Sequence, residues 1–433
     1  MTIDSAASAV ARRGSEDDLA ALAERVFRDI AAFSPDVQGV SRPAYSATES
    51  KTLDYIEAVA RSHQLHTWRD AGANLVIGGA KDRTPDAAAG YFGSHMDSVP
   101  QGGNFDGLAG VVAALLTLVA LQREGAQLHT PLRVIALRGE ESAWYGQAYM
   151  ASQALFGKLG PKALATRRRD GSKVLAEAMR EVGIPVDEIA AGRPLVDASS
   201  IRFFLETHIE QGPVLTDRHW PVAAVTGIRG NFRHRDIRCI GEAGHSGAVP
   251  RWLRRDAVFA TSELIMRMDD HWATILQHGG DLVLTAGIFQ TDATHHAMSR
   301  IPGETSFSFE ARSQDPATLL AIEALLHSEC RIIEKDRKVS FVFDDIVRAE
   351  PAQLDAGVMA SILTACTAEG LPAEAISSGA GHDAAVFAQA GIPTGMIFVR
   401  NRNGSHNPNE HMDLADLMAA VAVMRRVAKE LTQ

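Results

Sequence analysis

Histidine and acidic residues stand at the ends of several apolar segments of this chain. His95 and Asp97 follow the segment AAAGYFGS, Glu140 and Glu141 follow PLRVIALRG, and His208 follows SIRFFLET. Imidazole and carboxylate groups without a thiolate are ligands that suit zinc, and also manganese, cobalt or nickel. A single histidine at such a position is usually structural, but several at one edge of a sheet indicate a metal centre.

Two of these positions have a specific geometry on an extended chain. His95 and Asp97 are two residues apart and share a face, so the carboxylate can orient the imidazole. Asp106, in the loop GGNFDG, has two carboxylate oxygens and can bridge two metal ions about 3.5–4 Å apart. Asp97 could instead close a turn at the end of a strand, and Asp106 could be a turn residue before Gly107.

Glu140 and Glu141 are neighbours whose side chains point in different directions on extended backbone. One of them can bind a metal ion while the other takes a proton from a water molecule and returns it to a leaving nitrogen. The residues alone do not decide which glutamate has which role. The alternative for the whole set is a group of unrelated, solvated loop residues.

The elements that must position these groups follow an alternating pattern. Short apolar strands such as PLRVIALRG, SIRFFLETH and GIPTGMIFV alternate with helical stretches, which predicts an α/β fold with a mainly parallel sheet. The carboxyl ends of parallel strands meet at one edge, where sites form. The run Leu108 to Leu121 is shorter than the roughly 20 residues of a membrane span and predicts a buried core helix.

A different pattern interrupts this alternation between residues 229 and 345. It reads β-α-β-β-α-β, with LVLTAGIFQ as one of the strands, and predicts a small α+β domain inserted in the larger one. We therefore expect a discontinuous catalytic domain over 1–228 and 346–433.

The composition limits the class of protein. The 433 residues include 43 Lys and Arg against 53 Asp and Glu, a net charge of −10, which argues against nucleic-acid and membrane partners. The arginines of RRR, 167–169, are expected on a solvated helix face or in a loop. Cys239, Cys330 and Cys366 lack paired spacing, and the first residues show no secretory signal, so a reduced cytoplasmic location is expected.

Six motifs together resemble a known family. They are GSHMDSVPQGGNFDG, RGEES, THIEQGP, GHSGAVP, SGAGHDA and GSHNPNE. They are similar to those of the di-metal amidohydrolases of the M20 peptidase clan, in the hydantoinase/carbamoylase branch. That branch contains N-carbamoyl-L-amino-acid hydrolases, β-ureidopropionases and allantoate amidohydrolases. The resemblance runs from about Leu53 to Leu417, and HIEQGP together with SGAGHDA is its most specific part.

The resemblance implies two divalent metal ions, with zinc favoured over manganese, cobalt or nickel. It implies five metal ligands, with Asp106 bridging the two ions: His95, Asp106 and His208 for one ion, and Asp106, Glu141 and His406 for the other. Glu140 would be the general base, and Asp97 would be the hydrogen-bond partner that orients His95.

The resemblance also implies substrate-side residues and an oligomeric state. His245 would stabilise the developing oxyanion, Arg312 would bind the substrate carboxylate, and Gln211 and His382 would have supporting roles. Alternatively, His245 and His382 are turn residues, and Arg312 forms a surface ion pair. The inserted domain would act as a lid and join two copies into a homodimer.

Three departures from the family pattern lie at positions expected to face the substrate. Ser299 stands where the family commonly has Asn, the stretch His245–Pro250 differs from HAGT-T-P, and the loop before His406 carries Arg400–Arg402. An aromatic or acidic amide near Trp252, Arg251 and these arginines would be one consequence. Otherwise these side chains are only helix-start and loop residues.

The sequence thus predicts a metal-dependent hydrolase of linear amide C–N bonds that uses water activated by two metals and a glutamate base. The expected substrate is a small carboxylate-bearing amide, either an N-carbamoyl amino acid or a ureido acid. An aminoacylase, a dipeptidase or another amide hydrolase with the same centre is an alternative. A catalytically idle ligand-binding protein is another.

Overall fold

The computed structural model describes residues 3–433, with side chains from residue 17 onward. The chain forms two compact units. The first contains residues up to 226 together with 354–433, and the second contains residues 227–353.

The α-helices, in chain order, have these bounds: α1 (Ile3–Phe33), α2 (Ala47–Ser62), α3 (Leu108–Arg123), α4 (Met150–Leu155), α5 (Pro161–Leu164), α6 (Leu175–Glu181), α7 (Val186–Ala190), α8 (Val214–Arg218), α9 (Ala257–Gln277), α10 (Pro316–Arg337), α11 (Ala356–Ala368), α12 (Asp383–Gln389) and α13 (Leu414–Leu431).

The β-strands have these bounds: β1 (His66–Arg69), β2 (Leu75–Gly78), β3 (Ala89–His95), β4 (Leu132–Leu137), β5 (Ile201–Ile209), β6 (Val222–Ile228), β7 (Gly230–Ile240), β8 (Gly244–His245), β9 (Val283–Thr285), β10 (Phe289–Gln290), β11 (Arg300–Ile301), β12 (Glu304–Ser313), β13 (Ser340–Val342), β14 (Val347–Ala349), β15 (Ala352–Gln353), β16 (Ala375–Ser378), β17 (Thr394–Val399), β18 (Asn401–Arg402) and β19 (His411–Met412).

The central sheet of the first unit has the order β1-β2-β4-β3-β5-β17-β6. Its four middle strands, β4, β3, β5 and β17, are parallel to one another, whereas β2 pairs with β4 and β6 pairs with β17 in the antiparallel direction. The middle strands are almost entirely buried, as expected for a parallel sheet covered on both faces. The predicted α/β class with a mainly parallel sheet is confirmed.

Helix α3 is the apolar run that the sequence predicts to be a core helix. Its residues from Leu108 to Leu121 are all buried, and it packs against α13 and the strands β3 and β5. Gly110 permits this close packing, because a Cβ atom there would lie 1.8 Å from the carbonyl oxygen of Thr207. The helix is therefore docked tightly beside the end of β5, where His208 lies.

The second unit contains a separate antiparallel sheet in the order β10-β12-β7-β13. Its core is formed with helices α9 and α10. The stretch LVLTAGIFQ is two strands, β9 and β10, so the prediction of one strand is wrong. The break coincides with a register shift in β12 between Phe307 and Phe309, where the Ser308 hydroxyl accepts the Ile288 N–H at 3.0 Å.

The cysteines, the basic run and the helices bear on the remaining expectations from composition. Cys239, Cys330 and Cys366 are buried and free. The arginines 167–169 lie in a turn region rather than in a helix. Within the described part of the chain, the helices lack the combination of length and apolarity needed to cross a membrane.

Candidate metal centre

Three buried side chains converge at the edge of the first unit's sheet. His95 ends β3, His208 lies near the end of β5, and Asp106 precedes α3. The two Nε2 atoms are 3.3 Å apart, and they lie 3.3 and 3.1 Å from Oδ1 of Asp106. Gly107 makes this approach possible, because a Cβ at that position would lie 2.4 Å from the His95 ring.

The hydrogen bonds around the two rings assign their tautomers. Nδ1 of His95 lies 3.1 Å from the carbonyl oxygen of Asp97, and Nδ1 of His208 lies 2.8 Å from that of Ile209. Both Nδ1 atoms must therefore carry hydrogen, which leaves lone pairs on the two Nε2 atoms. The Gly107 N–H donates to Nε2 of His208 at 3.2 Å, in agreement with this assignment.

Such a convergence of acceptors requires a positive charge. Among the described residues, Oδ1 of Asp106 has no hydrogen-bond donor. Burial opposes protonation of His95, but Asp106 and Asp97 more than offset it and raise its pKa well above the usual value. The pocket therefore favours a cation, and its nitrogen and oxygen donors fit a divalent metal ion.

A second ligand group shares Asp106 with the first. Nε2 of His406 lies 3.5 Å from Oδ2 of Asp106 and 3.3 Å from Oε1 of Glu141. The hydrogen bond with Glu141 raises the pKa of His406 to about 9, although burial opposes the shift. The two oxygens of Asp106 thus face different groups, which is the arrangement of a bridging carboxylate.

Asp97 fixes the backbone that carries both glutamates. Its carboxylate accepts the N–H groups of Glu140 at 2.9 Å and Glu141 at 3.0 Å, and one oxygen lies 3.4 Å from Nδ1 of His95. The predicted contact with His95 is present. The two bonds to the glutamate backbone were not predicted from the sequence.

Glu140 and Glu141 are both buried beside His95, and the three can form a further ligand group. Burial raises the pKa of Glu140 well above its usual value, the charge of His95 opposes this shift, and Glu141 reinforces it. Burial also raises the pKa of Glu141, whereas the hydrogen bond with His406 lowers it. Glu141 is thus the member of the pair that contacts His406.

Two buried carboxylates that support the site were given no role from the sequence. Glu49, on α2, accepts the N–H of Gly139 at 3.1 Å and is paired with Arg138 at 2.7 Å. Glu410 accepts the N–H groups of Phe105 and Asp106 at 2.8 and 3.1 Å. Glu410 lies in the GSHNPNE motif, which offered a signal, whereas Glu49 stands in no pattern that chemistry would single out.

One buried guanidinium lies among these acids. Arg42 is fully buried and donates to the carbonyl oxygen of Met96 and to Oδ1 of Asn104, each at 2.9 Å. It joins the segment after β3 to the loop that carries Asp106. Burial lowers its pKa to about 10, and the nearby carboxylates, first of all Asp97, limit the change.

The chain is similar to proteins of a known family. The family model described as peptidase family M20/M25/M40 matches residues 91–430. The chain belongs to this family. The family match and the His/Asp/Glu cluster together indicate a divalent metal site.

Individual members of the family are similar over nearly their whole length. The N-carbamoyl-L-amino acid amidohydrolase of Geobacillus stearothermophilus is 32% identical over 91% of this chain and 94% of its own. The allantoate amidohydrolase of Escherichia coli (strain K12) is 31% identical over 91% and 93%. The crystal structure of a hydantoinase/carbamoylase family amidase from Burkholderia multivorans has a TM-score of 0.84 and 27% identity, covering 95% and 98%. The predicted branch of the M20 family is confirmed.

Two predicted substrate-side residues lie beside the ligand groups of this M20 protein. Gln211 has a left-handed backbone (φ 63°), and its Nε2 donates to Oδ2 of Asp106 at 2.7 Å. The ring centre of His382 is 4.5 Å from that of His208. Because Ser378 gives its hydroxyl hydrogen to a carbonyl, Nε2 of His382, 3.1 Å away, must donate to it, which leaves Nδ1 as an acceptor.

The other predicted substrate residues lie in the second unit. His245 is exposed on β8, opposite Arg300 of β11. Arg312, on β12, pairs with Glu310 at 3.1 Å. Neither residue is a member of the ligand groups that the described residues of the first unit form.

The loop arginines before His406 have partners inside the first unit. Arg400 forms two hydrogen bonds of 2.8 Å with Asp416, and Arg402 bonds to Asp413 at 2.6 Å. Both guanidinium groups are thus engaged by the first turn of α13 and the residue before it. Trp252, in the second unit, is 74% exposed.

Proposed function

We propose that this protein hydrolyses a carbamoyl or ureido C–N bond of a small substrate that carries a carboxylate. Its family and its relatives, which are named as amidohydrolases, confirm the predicted metal-dependent hydrolysis of non-peptide amide C–N bonds. The names of the relatives support the proposed substrate class, an N-carbamoyl amino acid or a ureido acid. The observation that carries the proposal is the pair of ligand groups joined through Asp106, with buried Glu140 beside them.

The proposed metal centre contains two ions, with zinc as the favoured metal. His95, Asp106 and His208 would hold one ion, and Asp106, Glu141 and His406 would hold the other. When bound, such ions polarise the substrate carbonyl and lower the pKa of water. The absence of thiolate from these groups leaves manganese, cobalt and nickel as alternatives.

Glu140 is the proposed general base. Burial favours its protonated form, so its carboxylate can hold a proton taken from water until the leaving nitrogen accepts it. The two hydrogen bonds to Asp97 fix the backbone of both glutamates, which supports separate roles for the adjacent side chains. Asp97 therefore serves as a support both for His95 and for the base.

Four side chains are proposed to contact the substrate. Gln211 and His382 lie beside the ligand groups. Nδ1 of His382 carries no hydrogen in the assigned tautomer, so it can accept a hydrogen bond from a substrate N–H. Arg312 would bind the carboxylate as a planar fork, and His245 would donate to the oxyanion. We further propose that the inserted domain, 229–345, is a lid that also forms a homodimer. A cytoplasmic location stays a prediction.

A substrate panel with a base variant tests this function. The metal-loaded protein is assayed for turnover of N-carbamoyl amino acids, ureido acids, N-acyl amino acids and dipeptides, with ammonia release as one readout. We expect turnover of the first two classes, and Glu140→Gln should lower kcat by about 10³-fold with the metal content unchanged. Glu181→Gln, which alters an exposed pair with Lys173, is the control.

Turnover confined to N-acyl amino acids or dipeptides would contradict the proposed substrate class. Near-wild-type hydrolysis by a metal-loaded Glu140→Gln variant would contradict the role of the base.

A further inference from the structure

Tyr149 has an unusual backbone conformation next to the proposed base. It lies in the left-handed region (φ 55°, ψ 35°) directly before α4, where a bulky residue is rarely found. Its N–H donates to the carbonyl oxygen of Glu140 at 2.8 Å, and the next N–H, of Met150, donates to that of Gly139 at 2.8 Å. These two hydrogen bonds hold the turn against the segment that carries Glu140. Backbone strain of this kind concentrates at functional sites.

The side chain of Tyr149 extends from this turn to the SGAGHDA segment. A Cβ atom at Gly381 would lie only 1.6 Å from the tyrosine hydroxyl oxygen. The hydroxyl thus lies directly over the backbone of the residue before His382. Gly381 is the residue type that this placement requires, because any side chain would collide with the phenol.

The hydroxyl of Tyr149 is an uncommitted hydrogen-bond donor. Among the described residues this hydroxyl takes part in no hydrogen bond with the protein, and the residue is only partly buried. Burial and the charge of Glu140 raise its pKa, so the phenol keeps its proton. In contrast, Gln211 and Ser405 already donate to Asp106, at 2.7 and 2.5 Å.

We infer that the Tyr149 hydroxyl donates a hydrogen bond to the carbonyl oxygen of the scissile group and to the oxyanion that develops there. The inference rests on the proposed function for the identity of that group. A neutral donor held by a fixed turn is suited to this task, because it loses little freedom when negative charge appears on the oxygen. Tyr149 is then a catalytic residue of the first unit.

The test removes one oxygen atom. Tyr149→Phe keeps the ring and the backbone turn, and Tyr145→Phe, in a separate buried cluster, is the matched control. We expect Tyr149→Phe to lower kcat by about 10²-fold with little change in KM, because the bond strengthens as charge develops. Tyr145→Phe should stay within threefold of the wild type. A decrease in kcat below tenfold for Tyr149→Phe would overturn the inference.

A sulfur-containing substrate tests where the hydroxyl acts. Sulfur accepts hydrogen bonds more weakly than oxygen, so the ratio of wild-type to Tyr149→Phe kcat should fall below threefold on the thiocarbonyl analogue of the same substrate. An equal ratio on the two substrates would show that the hydroxyl does not contact this oxygen.

The test of Tyr149 can fail independently of the test of the proposed function. The ratio is measured on whichever amide of the panel the wild type hydrolyses, since each contains a carbonyl oxygen. Turnover of N-acyl compounds alone would reject the carbamoyl or ureido substrate, while the ratio would still decide the role of Tyr149. Absence of turnover on every amide would reject both.

Discussion

Replacement of Asp97 by Asn tests how the site holds Glu140, the proposed base. The carboxylate accepts the N–H groups of Glu140 and Glu141 at 2.9 and 3.0 Å. An asparagine side chain has one acceptor oxygen, so its NH₂ group must face one of these two donors. The variant therefore keeps the size of the side chain and removes one of its two hydrogen-bond acceptors.

The size of the expected effects of Asp97→Asn follows from the hydrogen bonds that the substitution removes. A hydrogen bond to a charged group contributes about 1.5–3 kcal/mol, and a buried N–H without a partner costs about 1–3 kcal/mol. We expect Asp97→Asn to lower the free energy of unfolding by about 3 kcal/mol. A displacement of Glu140 by about 1 Å should lower kcat by about 10²-fold. Loss of support for His95 should weaken metal binding about 10-fold to 100-fold.

The assay combines denaturant unfolding, metal titration and turnover at saturating metal. Asp355→Asn is the control, because Asp355 also accepts a backbone N–H, that of Val358 at 2.9 Å, but at the start of α11. Asparagine caps helices as well as aspartate does, so this variant should keep wild-type kcat. A fully metal-loaded Asp97→Asn protein with kcat within threefold of the wild type would refute the reasoning.

Two further outcomes are expected. His406→Ala should lower the metal content from two ions to one per chain, because it removes a ligand from the second group only, and retention of two ions by elemental analysis after dialysis would contradict this. Burial raises the pKa of Asp70 to about 6, so the native state binds a proton more tightly than the unfolded state, and stability should fall as pH rises from about 4 to 6. Asp70→Asn should remove this dependence of the free energy of unfolding on pH, which amounts to at most about 3 kcal/mol. If denaturant unfolding showed the same dependence on pH for both proteins across that range, the effect would be excluded.

The sequence predicted the convergence of ligands because parallel strands deliver their carboxyl ends to one edge. His95 and His208 follow this rule directly, and their Nε2 atoms are 3.3 Å apart. The roles of the five ligands and of Glu140 stay proposals, although the distances agree with them. The parallel middle of the sheet was predictable from apolar runs alone.

The supporting contacts were not predictable, because they join residues far apart in the chain. Glu49 reaches Gly139 and Glu410 reaches Asp106 through tertiary packing, which has no periodic signature in the sequence. The partners of Arg400 and Arg402 are hidden for the same reason. A basic loop beside a site suggests a substrate contact, whereas the structure pairs each of these arginines with an aspartate.

The acidic surroundings of Arg42 make the stability of the folded protein depend on bound metal ions. The carboxylates of Asp97, Glu410, Asp106 and Glu141 all act on the buried guanidinium of Arg42, and Glu140 is buried beside them. Assembling that excess of negative charge without cations is unfavourable, so folding and ion uptake each promote the other. In a cell short of divalent metal, this chain would lose conformational stability together with turnover, and its concentration would follow the metal available.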